Sequence, residues 1–265
     1  MRYVLAVTAI LLLVAASANA ITVHANWYNV TPGAGVTVNY DGSPEGTVAG
    51  VYVFHNVWTD PDQGWLGEVN GIIPSMQLFC VDIKQNVYSG TWTLANLASA
   101  PEDPAPKGVM SANQVTEVKR LFDVCYGPHN HGYQILDTGS GASIQYANAS
   151  DAAAFQAALW EIVWETDGNT LDVSQGKLSV SGAGWGLTDT NSLGLEANQM
   201  IAYMLADTRT DPNLPVINAW VDTSNQDQIL ISPNGRDIPV PEPLTMAGLG
   251  MGICGLVTYI RKRRS

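Results

Sequence analysis

Hydrophobic and polar positions alternate with period two near the start of the chain body, at Ile21–Ala25 and Val36–Tyr40, which predicts two half-buried strands. Asp41-Gly42-Ser43-Pro44 reads as a turn, and the β-rich run Thr47–Phe54 after it as a third strand. Met76–Ile83, bounded by Pro74, predicts a strand with Cys80 inside it, and Thr91–Leu94 a further one. The period then changes. Ser111 and Gln114 form a capping box, opening a helix whose apolar positions Val115, Val118, Leu121 and Phe122 recur at helical spacing. Gly127-Pro128 ends it. Ser150 or Asp151 caps a second helix, Ala152 to about Glu165, with Phe155, Leu159, Trp160 and Ile162 as its apolar face. Thr190 or Ser192 starts a third, carrying Leu195, Met200, Ile201 and Met204. Strands return at Val216–Val221 and Gln228–Ser232. This order predicts an α+β fold, a β-rich body with an inserted helical lobe, and no internal repeat is visible.

Both ends carry a different apolar pattern. Met1-Arg2, the apolar run Val4–Ala16 and Ala18-Asn19-Ala20 predict a secretory signal peptide over 1–20, with the exported chain beginning at Ile21. At the other end Leu244–Ile260 is 17 residues without a charge, at the short end of what crosses a bilayer. The basic residues in 261–265 would hold its end on the cytoplasmic side. Pro241, Glu242 and Pro243 precede it in an extended linker, 235–243. A Pro-Glu-Pro tripeptide, one apolar span and a basic terminus resemble the PEP-CTERM sorting tail of exported proteins of Gram-negative bacteria. That resemblance implies an exosortase-type processing enzyme as a partner, and an envelope or cell-surface location with at least transient anchoring through the C-terminal transmembrane helix. The exported body is then 21–234.

Composition narrows the function. The chain has a net charge of −12. Without its two ends it keeps seven Lys and Arg against 23 Asp and Glu. Phosphates would be repelled, so nucleic acid is not an expected partner. Eight Trp favour a packed core over a disordered stalk. Cys254 lies in the tail, leaving Cys80 and Cys125 in the body; in an oxidising compartment a Cys80–Cys125 disulfide is the simplest expectation.

Two short motifs carry the sharpest chemistry: Phe79-Cys80-Val81-Asp82 on a strand and Phe155-Gln156-Ala157-Ala158-Leu159-Trp160-Glu161 on a helix. Together they resemble the bacterial thioester domain of surface adhesins, over roughly residues 50–232. The resemblance implies that the Cys80 sulfur attacks the Gln156 carboxamide and expels ammonia. The internal thioester then acylates an amine or hydroxyl on a surface target, with no cofactor and no turnover, so the chain is not an enzyme. Trp160, one turn beyond Gln156, would shield the acyl carbon from water. A Cys80–Gln156 thioester and a Cys80–Cys125 disulfide exclude each other. Without the thioester, with or without the disulfide, the chain reads as a structural protein of the envelope or exopolysaccharide matrix. A Cys80 enzyme would need His129 or His131 as base with Asp82 or Asp123, but no catalytic signature surrounds Cys80. His129 and His131 fall on one side of an extended segment, but a metal there would need further ligands such as Asp123 or Asp137, and two histidines in a polar loop are more often solvated, so no metal centre is expected. The acidic loops at Asp60-Pro61-Asp62 and Asp207–Asp211 lack EF-hand spacing.

Overall fold

The computed structural model describes residues 21–60, 73–101, 108–126, 135–137, 144–146, 148–165, 170–183, 185–187, 189, 191–209 and 214–231. All but Ile21 belong to one unit, Thr22–Ile238. The signal segment 1–20, the Pro241-Glu242-Pro243 motif, the 244–260 span and Gly127-Pro128 lie outside the described residues. Among the described residues no helix is long and apolar enough to cross a membrane.

Two long strands, β1 (Thr22–Tyr40) and β2 (Ser43–Asp60), form an antiparallel ribbon joined at Asp41-Gly42. Both turn residues have positive φ, 53° and 78°, which Asp and Gly tolerate better than other types. The ribbon replaces three shorter expected strands. Asn26–Gly35 contains Pro and Gly and has no clean alternation, so it does not read as strand. The chain absorbs it through three register shifts, between His24 and Asn26, Trp27 and Asn29, and Val30 and Gly33. Gly50 lies at φ 148° opposite Gly33, where a Cβ would collide with the Pro32 carbonyl and the Gly33 Cα.

β3 (Ile73–Cys80), β4 (Gly90–Asn96), β8 (Ile217–Val221) and β9 (Gln228–Ile231) complete a ring of antiparallel pairings, β1-β2-β3-β9-β8-β4 and back to β1. β7 (Leu178–Gly182) is appended to the far half of β1, Val36–Tyr40. A short pair, β5 (Ile135–Asp137) and β6 (Ile144–Tyr146), forms a separate two-stranded sheet. Phe54, Trp92 and Trp220, from three strands of the ring, meet with centroids 5.4–5.8 Å apart. The far half of β1 extends beyond its pairing with β4, and β7 takes up the edge it leaves there.

Three helices follow β4: α1 (Ala112–Tyr126), α2 (Ala149–Trp164) and α3 (Ser192–Ala206). The capping box is made as expected: the Gln114 N–H donates to Ser111 Oγ at 3.3 Å, and the Ser111 N–H to Gln114 Oε1 at 2.9 Å. The cap of α2 differs from expectation. Asn148, not Ser150 or Asp151, accepts from the Asp151 N–H at 2.8 Å. α2 is also not amphipathic. Every residue from Ala152 to Trp164 is buried, because the helix lies against β1, β2 and β7 on one side and the other helices on the other. α2 is therefore packed directly onto the sheet, with α1 and α3 stacked against it, rather than the three being set apart as an inserted lobe, and β7 returns to the sheet between α2 and α3 in the sequence. The α+β class stands.

Candidate functional site

β3 delivers the cysteine. Cys80 is the last residue of the strand, not an interior one as its apolar surroundings suggested. It pairs with Gln228 of β9. The chain then leaves the ladder: the Val81 N–H donates to the Asp227 carbonyl at 3.0 Å, and residues 81–82 turn back around the sulfur. The Cys80 thiol donates to the Asp82 carbonyl at 2.7 Å, and the Asp82 N–H donates to Sγ at 3.2 Å. Cys80 is fully buried.

α2 delivers the glutamine. Gln156, Trp160 and Trp164 are spaced i, i+4 and i+8, so they form one stripe along the helix. All three address the end of β3. The Gln156 carboxamide is clamped to the Cys80 main chain in both directions: the Cys80 N–H donates to Oε1 at 3.2 Å, and Nε2 donates to the Cys80 carbonyl at 2.6 Å. Trp164 Nε1 donates to the Val81 carbonyl at 2.7 Å. Trp160 is 1% exposed, and its buried Nε1 has no hydrogen-bond partner. The small residues Ala153 and Ala157 are fully buried beside this stripe.

Electrostatics keep the thiol protonated. Burial, and after it the Asp82 carboxylate, push the Cys80 thiol well above its ordinary value. The Asp82 main chain and the Trp160 indole N–H act in the opposite direction, and the Asp227 charge adds to the rise. Tyr52 lies beside the same sulfur. Burial, then the Cys80 charge, raise its phenol well above the usual range, and its hydroxyl donates to the Val48 carbonyl at 3.3 Å. Gln226 fixes the turn from the other side, donating to the Asp82 carbonyl at 2.8 Å and the Gln85 carbonyl at 3.1 Å.

A pocket of about 200 Å³ opens next to this cluster. Tyr52, Trp160 and Gln226 line it on the sulfur side, and Trp27, Tyr40, Glu45 and Lys84 elsewhere. The Lys84 and Lys177 ammonium groups sit over the Tyr40 ring, 4.8 and 5.4 Å from its centroid.

The remaining candidates separate from this site. Cys80 and Cys125 are both free thiols, so the disulfide weighed from the sequence is not formed. Cys125 is buried on α1, and burial raises its thiol. Phe79, next to Cys80, packs among Phe122, Tyr126 and Phe155, which ties β3 to α1 and α2 through rings rather than sulfur. Asp123 pairs with Arg209, as does Asp207 at 2.6 Å. His129 and His131 lie outside the described residues, and the Asp137 side chain does too. Among the described residues no group of three His, Cys, Asp or Glu is placed to hold a metal ion.

Two solved structures resemble this chain. One is the N-terminal thioester domain of a surface protein from Clostridium perfringens, at 12% identity and a TM-score of 0.37, covering 80% of this chain and 97% of that one. The other is the N-terminal domain of the Streptococcus pyogenes pilus tip adhesin Cpa, at 12% identity and a TM-score of 0.40, covering 81% and 94%. No family model and no curated protein matches. The Cys80–Gln156 geometry stands independently of these likenesses.

Sequence reasoning paired Cys80 with Gln156 but missed Tyr52, Gln226 and Trp164. Trp164 was legible, since it repeats the Gln156–Trp160 interval. Tyr52 and Gln226 come from strands and loops distant in sequence, and no local pattern marks them.

Proposed function

We propose that this chain is an exported surface protein that captures a partner covalently through an internal Cys80–Gln156 thioester. The observation that carries the reading is the two-way clamp of the Gln156 carboxamide on the Cys80 main chain, beside a free, buried thiol. A buried glutamine held in one orientation against a cysteine is prepared for acyl transfer by proximity. The Cys80 N–H on Oε1 is a donor where charge develops as sulfur adds to the carbon. In the closing step the sulfur–carbon bond forms, the carbon–nitrogen bond breaks, and ammonia leaves with the thiol proton. In the capture step a target amine or hydroxyl, arriving through the pocket, attacks the same carbon. The carbon–sulfur bond breaks, and Cys80 regains a proton. The chain acts once and is not an enzyme, and no cofactor enters the reaction. In this reading the 1–20 segment directs export. The Pro241-Glu242-Pro243 tail is processed by an exosortase-type partner in a Gram-negative envelope, and residues 244–260 anchor the chain to the membrane.

The test is the intact mass of the exported body. A closed thioester lowers it by one ammonia. Methylamine then adds at Gln156, and Cys80→Ala abolishes both changes. An unaltered mass with Cys80 alkylatable after unfolding refutes the reading. A second reading follows from the same clamp: both polar ends of the Gln156 carboxamide are satisfied, so it also serves as a plain structural staple. The chain is then an envelope or exopolysaccharide-matrix component without reactivity, and the unaltered mass is its signature.

A further inference from the structure

We propose that the Trp160 indole N–H is the donor that takes up negative charge on the Cys80 sulfur whenever the Cys80–Gln156 bond is made or broken. The inference rests on the thioester reading above. Its starting point is an apparent fault in packing. Trp160 is 1% exposed, yet its Nε1 has no partner. A buried donor without an acceptor bears its full desolvation penalty, and a phenylalanine at the same place would not. The other indoles beside the site are engaged: Trp164 Nε1 bonds the Val81 carbonyl at 2.7 Å and Trp92 Nε1 the Gln226 carbonyl at 3.2 Å. Trp220 Nε1 also lacks a partner, but that ring packs into the Phe54–Trp92 core. Trp160 borders both the sulfur and the pocket.

The surroundings of the sulfur explain what an unengaged donor is for. From its own segment it receives the Asp82 N–H at 3.2 Å, while the Asp82 carboxylate opposes charge on it. From the loop before β9 the Asp227 carboxylate opposes charge as well. From β2 comes the Tyr52 hydroxyl, which faces the sulfur but already donates to the Val48 carbonyl at 3.3 Å. From α2 comes the Trp160 N–H, which favours the thiolate. A fully buried sulfur facing two carboxylates needs more than one donor to carry charge, even briefly. In closure, the thiol proton is lost before or as sulfur adds to the Gln156 carbon, and it departs with ammonia. In capture, the sulfur leaves with the electron pair of the carbon–sulfur bond and is reprotonated afterwards. In both steps the charge on sulfur peaks where Trp160 is the donor with no other bond to give up. Placing it there in advance needs no reorganisation during the reaction.

The test uses Trp160→Phe in the full exported body, with methylamine as the nucleophile and mass as the readout. The expected result is a stably folded protein that loses ammonia and adds methylamine roughly 10- to 100-fold more slowly than the parent, as for removal of one preorganised donor. Unchanged rates in a folded Trp160→Phe overturn the proposal and leave Trp160 as a shield only. Should that variant fail to fold, a tryptophan analogue with sulfur in place of the indole N–H keeps the shape and makes the same comparison. If the parent never loses ammonia, the thioester reading fails, and the donor is tested by itself. The ultraviolet absorbance of the Cys80 thiolate, taken as the difference from Cys80→Ala, then titrates at higher pH in Trp160→Phe than in the parent. Coincident titration curves overturn the proposal.

Discussion

Closing the Cys80–Gln156 bond joins residues 76 positions apart, and that spacing fixes what the bond does to stability. A cross-link of that span removes loop-closure entropy from the unfolded chain worth about 4.5 kcal/mol at room temperature. Two smaller effects offset each other when the closed parent is compared with Cys80→Ala. Closure gives up the Nε2 bond to the Cys80 carbonyl, about 1 kcal/mol. The variant gives up a buried sulfur, also about 1 kcal/mol. The closed parent therefore exceeds Cys80→Ala by about 4.5 kcal/mol, which for a domain of this size raises the melting temperature by roughly 9–18 °C. The assay is a first heating scan of the exported body, of Cys80→Ala, and of parent opened with methylamine. The opened parent loses the cross-link but keeps the Cys80 sulfur, so it must fall to within ~2–4 °C of the variant. A parent only ~2–4 °C above Cys80→Ala, the effect of losing one buried sulfur, refutes the cross-link whatever the mass suggests.

Three further outcomes follow from the structure. Trp164→Phe keeps an aromatic ring near Tyr40, which Trp164 meets edge-on at 5.2 Å, but leaves the Val81 carbonyl without its indole donor, so chemical denaturation should show a loss of about 1–3 kcal/mol. Gly50→Ala combines a φ of 148° with a collision against Pro32 and Gly33 across the ribbon, and should destabilise by at least about 1–3 kcal/mol or abolish expression of folded protein. Glu161 is buried on α2, accepting from the Asp172 N–H at 2.8 Å. Burial first, and the Glu165 and Asp172 charges after it, push its carboxyl up from 4.5 to about 7. A folded state that holds a proton the unfolded chain releases is favoured at low pH. This contribution is full below about pH 4.5 and lost as pH rises to about 7. Denaturation midpoints across that window should slope less in Glu161→Gln than in the parent; parallel slopes would show that Glu161 titrates normally.

Local signals set much of this chain. The period-two runs at 21–25 and 36–40, the Ser111–Gln114 capping box and the helical spacing around Leu121 and Phe122 each use contacts within a few residues, and each appears where the pattern put it. Signals that depend on distant partners did not read out. β7 has a short, weakly alternating sequence, Leu178–Gly182, and becomes a strand because the far half of β1 offers it an edge. The N-terminus of α2 was misplaced because Asn148 precedes two other good capping residues, and local propensity does not choose among them.

The site divides along the same line. The spacing of Gln156, Trp160 and Trp164 puts them on one helix stripe in any fold, and the apolar run before Cys80 makes its strand buried in any fold. That much is a property of the sequence, because helical and strand periods are intrinsic to the backbone. Whether Gln156 meets Cys80 or solvent depends on where α2 lies against the sheet, and whether Cys80 meets Cys125 depends on what fills the space between β3 and α1. Tertiary packing decided both: rings from Phe79, Phe122, Tyr126 and Phe155 occupy the approach to α1, and α2, buried from Ala152 to Trp164, turns its one carboxamide to the end of β3.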